Sequence, residues 1–152
     1  MEAEEEKKED LVHCIYTSAS TIEFTPEDIT ELLEKARRNN DKLGVSGMLL
    51  YDEGSFFQVL EGDPQVVARL LKTIQNDKRH DKVVKIIYED IEERDFSEWT
   101  MGYSGASRSD LQSIDGLNDF FQTNNTFVEL DEGRAKKLLS AFKDGKWRTS
   151  IN

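Results

Sequence analysis

The sequence predicts an α+β fold, a mixed five-stranded sheet in the order βαββαββ with two helices on one face. Three observations carry this expectation. Two amphipathic segments each begin with a cap-plus-proline signal, Thr25-Pro26 and Asp63-Pro64. Between them, residues 48–51 and 56–60 are apolar runs joined by Asp52-Glu53-Gly54, a hairpin signal. Short β-rich runs lie outside both helices, at residues 11–17 and 83–88.

Taken in order, residues 1–10 form a charge run without an apolar face and read as a disordered acidic tail. Residues 11–17 make the first strand. After a polar loop, Thr25 caps a helix with Pro26 at its first position and acids in its first turn. Ile29, Leu32, Leu33 and Ala36 fall on one face of that helix, and Arg37, Arg38 and Asn39-Asn40 close it. Both arms of the hairpin are nearly continuous apolar runs, as strands covered on both faces are. Gln58 breaks the second arm, and a buried amide must find hydrogen-bond partners or cost stability.

Val66, Val67, Leu70, Leu71 and Ile74 mark the second helix. Residues 76–82 read as a polar, basic turn, residues 83–88 as the fourth strand and residues 99–102 as the start of a fifth. Beyond, residues 110–122 predict a helix interrupted by Gly116, and residues 131–142 another. Neither is long enough to stand alone, so both are expected on the sheet face opposite the first two helices.

Composition narrows the function. The length of 152 residues is that of one domain. One cysteine, Cys14, excludes an internal disulfide and fits a reducing, cytoplasmic compartment. No apolar run approaches a membrane span, and the N-terminus lacks a signal-peptide core. A net charge of −11 argues against direct nucleic-acid binding. His13 and His80 lie on different elements, and no nucleophile elbow, zinc spacing or phosphate loop is present, so no enzyme is expected.

Several polar or special residues sit at structural positions: Tyr16 late in the first strand, Asn40 at the helix end, Gln58 mid-strand, Arg79-His80 before the fourth strand, and Trp99 and Met101 on the fifth. Singly, each has a structural explanation, such as an aromatic with a polar handle for Tyr16 and Trp99, a C-cap for Asn40, or a gap-filler for Met101.

Together, the pattern Tyr16-x-Ser18, Asn39-Asn40, Gly44-Val45-Ser46-Gly47-Met48-Leu49, Phe56-Phe57-Gln58-Val59-Leu60-Glu61-Gly62, Asp77-Lys78-Arg79-His80 and Phe96-x-x-Trp99-x-Met101 resembles the BLUF family of flavin-binding blue-light sensors. The resemblance spans about residues 10–106. It implies a ferredoxin-like fold holding FAD non-covalently between the two helices. In its terms Tyr16 donates an electron and a proton, Gln58 links the Tyr16 phenol to the flavin ring, and Asn40 holds the ring edge. Trp99 and Met101 pass the state of Gln58 outward, and Arg79 with His80 faces the FAD phosphates or ribityl chain. Many relatives carry Ser where this chain has Ala36, so one hydroxyl contact is missing.

The resulting division is a tail at 1–10, a photosensor domain at 11–106 and a helical output segment at 107–152. The expected output is a light-dependent protein–protein switch in a homodimer or higher homo-oligomer. The competing readings are a small flavin-dependent enzyme on the same fold and a ligand-free structural module.

Overall fold

The computed structural model describes residues 10–52, 54–78, 80–97, 101–104, 111–114, 116–123 and 125–143. The first strand, β1 (Leu11–Ser20), leads to helix α1 (Pro26–Leu43) and then to the hairpin β2 (Ser46–Asp52) and β3 (Ser55–Gly62). Helix α2 (Pro64–Gln75) connects to β4 (His80–Ile91), and β5 (Gly102–Ser104) completes the sheet. Among the described residues Leu111 and Gln112 are helical, and helices α3 (Asn118–Gln122) and α4 (Glu132–Lys143) follow, with a 3-10 turn at Phe127–Glu129 between them.

The five strands lie in the order β4-β1-β3-β2-β5. β1 pairs antiparallel with both β3 and β4, β2 antiparallel with β3, and β2 parallel with β5. Two interleaved βαβ units produce this order. β3 lies between β1 and β2, and β1 lies between β3 and β4.

Both helix starts obey the signals in the sequence. The Thr25 hydroxyl accepts from the Asp28 N–H, and the Asp28 carboxylate accepts from the Thr25 N–H, a reciprocal capping box. The Asp63 carboxylate accepts from the N–H groups of Gln65 and Val66. Helix α1 outruns the expected end at Asn39-Asn40. It continues to Leu43 and stops at Gly44, whose φ of 70° is the left-handed conformation glycine takes without steric cost. Asn40 is therefore not a C-cap; it lies within the last turns and is buried.

Each face of the sheet carries its own core. Val12, Cys14 and Tyr16 of β1 pack with Ile29 and Leu33 of α1 and Val67 and Leu71 of α2. Ile15, Phe57 and Val59 on the other face pack with Leu111, Leu117, Phe121, Phe127 and Leu138. β3 is buried along its whole length, as its apolar run predicts. The C-terminal segment covers the face opposite α1 and α2, as expected. The expected interruption at Gly116 is present: Leu111 and Gln112 are helical, Gly116 takes φ 87°, and helix resumes as α3 at Asn118.

Three strands differ most from expectation, and β1 runs on to Ser20, beyond the residues 11–17 read from the sequence. β4 is longer than residues 83–88, since its polar ends complete the backbone ladder with β1 from Leu11↔Ile91 to Ser20↔His80. β5 begins at Gly102, so Met101 immediately precedes that strand rather than lying in it. Trp99, placed on the same strand by the sequence reading, lies outside the described residues, as do Arg79 and the N-terminal tail at 1–9.

Candidate functional site

A cleft of about 140 Å³ opens between α1, α2 and the sheet. Tyr16 from β1, Leu49 from β2, and Phe56, Gln58 and Leu60 from β3 form its floor. Helix α1 contributes Leu32, Leu33, Lys35, Ala36, Asn39 and Asn40. Leu70, Thr73, Ile74 and Asp77 come from α2 and its exit, and Met101 closes the β5 side.

Strand register explains why Tyr16 and Gln58 meet. They are directly opposite across the antiparallel β1/β3 ladder, and residues paired this way point to the same face. Gln58 is also opposite Leu49 of β2, so it sits mid-sheet between two strands. A shift by one residue would send both side chains to the other face. Tyr16 is 1% exposed, Asn40 2%, Met101 2% and Gln58 9%, which places this polar set out of bulk water.

The Gln58 amide finds a partner among the described residues. Its Nε2–H donates to Met101 Sδ at 3.4 Å. The Arg37 Nε–H in turn donates to the Met101 carbonyl at 2.9 Å. Burial pushes the Tyr16 phenol well above the ordinary tyrosine range, and the neighbouring Cys14 and Asp77 push it the same way. Burial also pushes the Cys14 thiol up to about 11, against the opposing charge of Lys85.

Two aromatic rings pack against Phe56 of the cleft floor. Phe24 meets Phe56 edge-on at 5.1 Å, and Tyr51 lies 4.7 Å from Phe56. Such pairs contribute about 0.5–1.5 kcal/mol beyond their buried area. They hold Phe56 in place as part of the floor. The lining is largely apolar, with the amides of Asn40 and Gln58 as polar groups that can both donate and accept. Among the described residues no group of three His, Cys, Asp or Glu could hold a metal ion.

Of the residues singled out in the sequence, Tyr16, Asn40, Gln58 and Met101 come together in the cleft, and Ala36 lies in its wall. His80 opens β4 opposite Ser20; Arg79 and Trp99 fall outside the described residues. The sequence reading passed over Thr73 and quoted Asp77 only as part of the 77–80 motif, without a place in the site. Their signal is the spacing Leu70, Thr73, Ile74, Asp77, one stripe of a helix and its exit. Arg37 was read only as a helix-closing charge, although it follows Ile29 and Leu33 at four-residue intervals on the inward stripe.

The model of a family described as sensors of blue light using FAD, BLUF, matches residues 11–102. The photoactivated adenylate cyclase subunit beta of Euglena longa is 32% identical over 123 residues, which is 80% of this chain and 14% of that protein. The blue light- and temperature-regulated antirepressor BluF of Escherichia coli (strain K12) is 32% identical over 77 residues, 51% of this chain and 19% of that protein. The chain thus spans less than a fifth of these relatives. Among solved structures, BlsA in its photo-activated state superposes with a TM-score of 0.79 at 28% identity, covering 93% of this chain and 99% of that one. BlrB in its dark state superposes at 0.67 and 25% identity, covering 89% and 99%.

Proposed function

The chain belongs to the BLUF family, the sensors of blue light using FAD, and from that premise we propose that its cleft binds FAD non-covalently and that light re-forms the hydrogen bonds of Tyr16 and Gln58. One observation carries the reading: Tyr16 and Gln58 lie opposite each other on adjacent strands and share one buried cleft.

The lining fits the flavin. Leu32, Leu33, Leu49, Leu60 and Ile74 offer apolar faces, while the Asn40 and Gln58 amides supply both donors and acceptors for a heteroaromatic edge. Asn40 would hold the polar edge of the flavin ring, and Gln58 would stand between that ring and the Tyr16 phenol. Ala36 supplies a methyl group where many relatives have a hydroxyl, which alters colour or dark recovery without abolishing binding.

Bound FAD supplies absorption of blue light and, once excited, an acceptor for one electron. The remaining chemistry belongs to the protein. The Tyr16 phenol is kept protonated by burial, so its loss of an electron is coupled to loss of the proton on Oη. The Gln58 amide both donates and accepts, so it relays that proton and returns it in a changed orientation or tautomer. No bond is made or broken in sum, and no substrate is turned over; the product is a switched hydrogen-bond pattern. Met101, which already accepts from Gln58, carries the switch toward β5, with Trp99 in the same role. Arg79, assisted by His80, serves the phosphate end of FAD.

Residues 11–106 act as the sensor and residues 107–152 as the output segment. The second core, which packs Leu117, Phe121 and Leu138 against the underside of the sheet, supports that division. The output is a change in protein–protein contacts within a homodimer or higher homo-oligomer, in the cytoplasm and without direct nucleic-acid binding. No helix among the described residues is long and apolar enough to cross a membrane. The test of the site is Tyr16→Phe: it is expected to bind FAD and to lose the reversible photoproduct. A normal photocycle in that variant would remove Tyr16 from its role.

A further inference from the structure

We propose that Arg37 is a positioning residue for the light switch, tying helix α1 to the residue on which the Gln58 amide rests. The inference rests on the photosensor reading above and adds a residue to it.

Three bonded groups form a continuous line. The Arg37 Nε–H donates to the Met101 carbonyl at 2.9 Å. Met101 is buried, and its Sδ accepts the Gln58 Nε2–H at 3.4 Å. Gln58 lies opposite Tyr16 in the β1/β3 ladder. Helix α1 is thereby connected to the centre of the sheet through a backbone atom of Met101, 64 residues away in the chain.

Geometry makes this connection a stiff one. Arg37 is half-buried and follows Ile29 and Leu33 at four-residue intervals, so its stem leaves the inward side of α1. A guanidinium is planar, always charged, and donates in a fixed direction. A charge-assisted bond to a carbonyl, partly shielded from water, is among the stronger hydrogen bonds a protein makes. Asn40, which lines the cleft, is three residues further along the same helix. Movement of Met101 is therefore resisted by the element that also carries Asn40.

The consequence concerns the rate at which the switch resets. Gln58 cannot reorient without breaking its contact to Met101 Sδ or carrying the side chain with it. While Arg37 holds the Met101 backbone, that rearrangement meets a fixed neighbour. Releasing the tether lowers the barrier and shortens the life of the light-adapted form.

The experiment uses the full chain loaded with FAD. Wild type, Arg37→Leu, Arg37→Gln and Arg38→Leu are compared for FAD occupancy, for the size of the light-induced band shift and for the dark-recovery rate. Arg38 is exposed on the same helix and controls for loss of positive charge. Both Arg37 variants are expected to retain FAD and the photoproduct but to recover about five-fold faster, the factor given by ~1 kcal/mol of barrier. Arg38→Leu is expected to recover at the wild-type rate. Unchanged recovery in a folded Arg37 variant, equal acceleration in Arg38→Leu, or loss of FAD from the Arg37 variants would each overturn the proposal. If Arg37→Leu does not fold, Arg37→Gln carries the test alone. Absence of a photoproduct in wild type would refute the photosensor reading instead, so the two failures are distinguishable.

Discussion

Removing the Glu61 carboxylate is expected to cost about a third of the stability of a domain this size. Glu61 is fully buried on the face of β3 opposite Gln58. Its carboxylate accepts from Ser46 Oγ at 2.9 Å, from the Asp95 N–H at 2.7 Å and from the Phe96 N–H at 3.0 Å. The Arg94 guanidinium donates to Ser46 Oγ at 2.9 Å and to the Glu61 carbonyl at 3.2 Å. One side chain thus fixes the start of the connection from β4 to Met101, and with it Phe96 in the second core. In Glu61→Ala three donors lose a charged acceptor, and such bonds contribute about 1.5–3 kcal/mol each. Asp95 is half-exposed and regains water, so the total falls to about 3–5 kcal/mol against ~5–15 kcal/mol for a whole domain. Urea unfolding measures it as a fall of about 2 M in the midpoint, at a slope of ~2 kcal/mol/M. Glu61→Gln, which keeps one acceptor oxygen and turns an NH2 group toward a backbone N–H, is expected to lose about half as much. A loss below about 1 kcal/mol in Glu61→Ala would refute the reasoning, because it would mean that the 94–96 segment is held by other contacts.

Other consequences are as specific. Gly47 is opposite Leu60 in the hairpin, and a Cβ there would stand 1.9 Å from the Val59 carbonyl oxygen; Gly47→Ala is expected to destabilise by at least about 2 kcal/mol in urea melts, since main-chain atoms must move. Asn40→Ala should keep the fold, as judged by circular dichroism, and weaken FAD about ten-fold in a fluorescence titration, the equivalent of ~1.4 kcal/mol. The Cys14 thiol, with its ordinary value of 9.0 raised to about 11, holds its proton longer in the folded than in the unfolded chain. Its contribution to stability is complete below pH 9, where both states are protonated, and is lost as pH rises toward 11. The loss reaches at most about 1.4 kcal/mol per pH unit, and urea melts across this range should show a shallower decline in Cys14→Ala.

Much of this architecture is legible in the chain itself. The hairpin declares itself because both arms are apolar and the turn carries Gly54, whose φ is 73°. The two helix starts are equally plain, since Thr25 and Asp63 act as caps with proline beside each. The site is legible at Gln58 because an amide in a buried strand demands partners. The full length of β4 is hidden, because its polar ends are held by backbone bonds to β1 that leave no pattern in side chains. The broken helix after residue 110 turns on one glycine, Gly116, whose φ of 87° follows from tertiary packing rather than from any pattern in the sequence. Arg37 is hidden for a different reason. A cation near a helix C-terminus reads as a partner of the dipole, and only the distant Met101 carbonyl gives it its direction.

The most direct test of the account is the difference between the visible spectra of the FAD-loaded protein in the dark and after blue light, recorded for wild type and Gln58→Leu together. The account predicts flavin bands in wild type that shift slightly to the red and relax back in the dark, and no such shift in Gln58→Leu despite bound FAD. A wild-type protein that takes up no FAD, or a reversible shift that survives in Gln58→Leu, would contradict it.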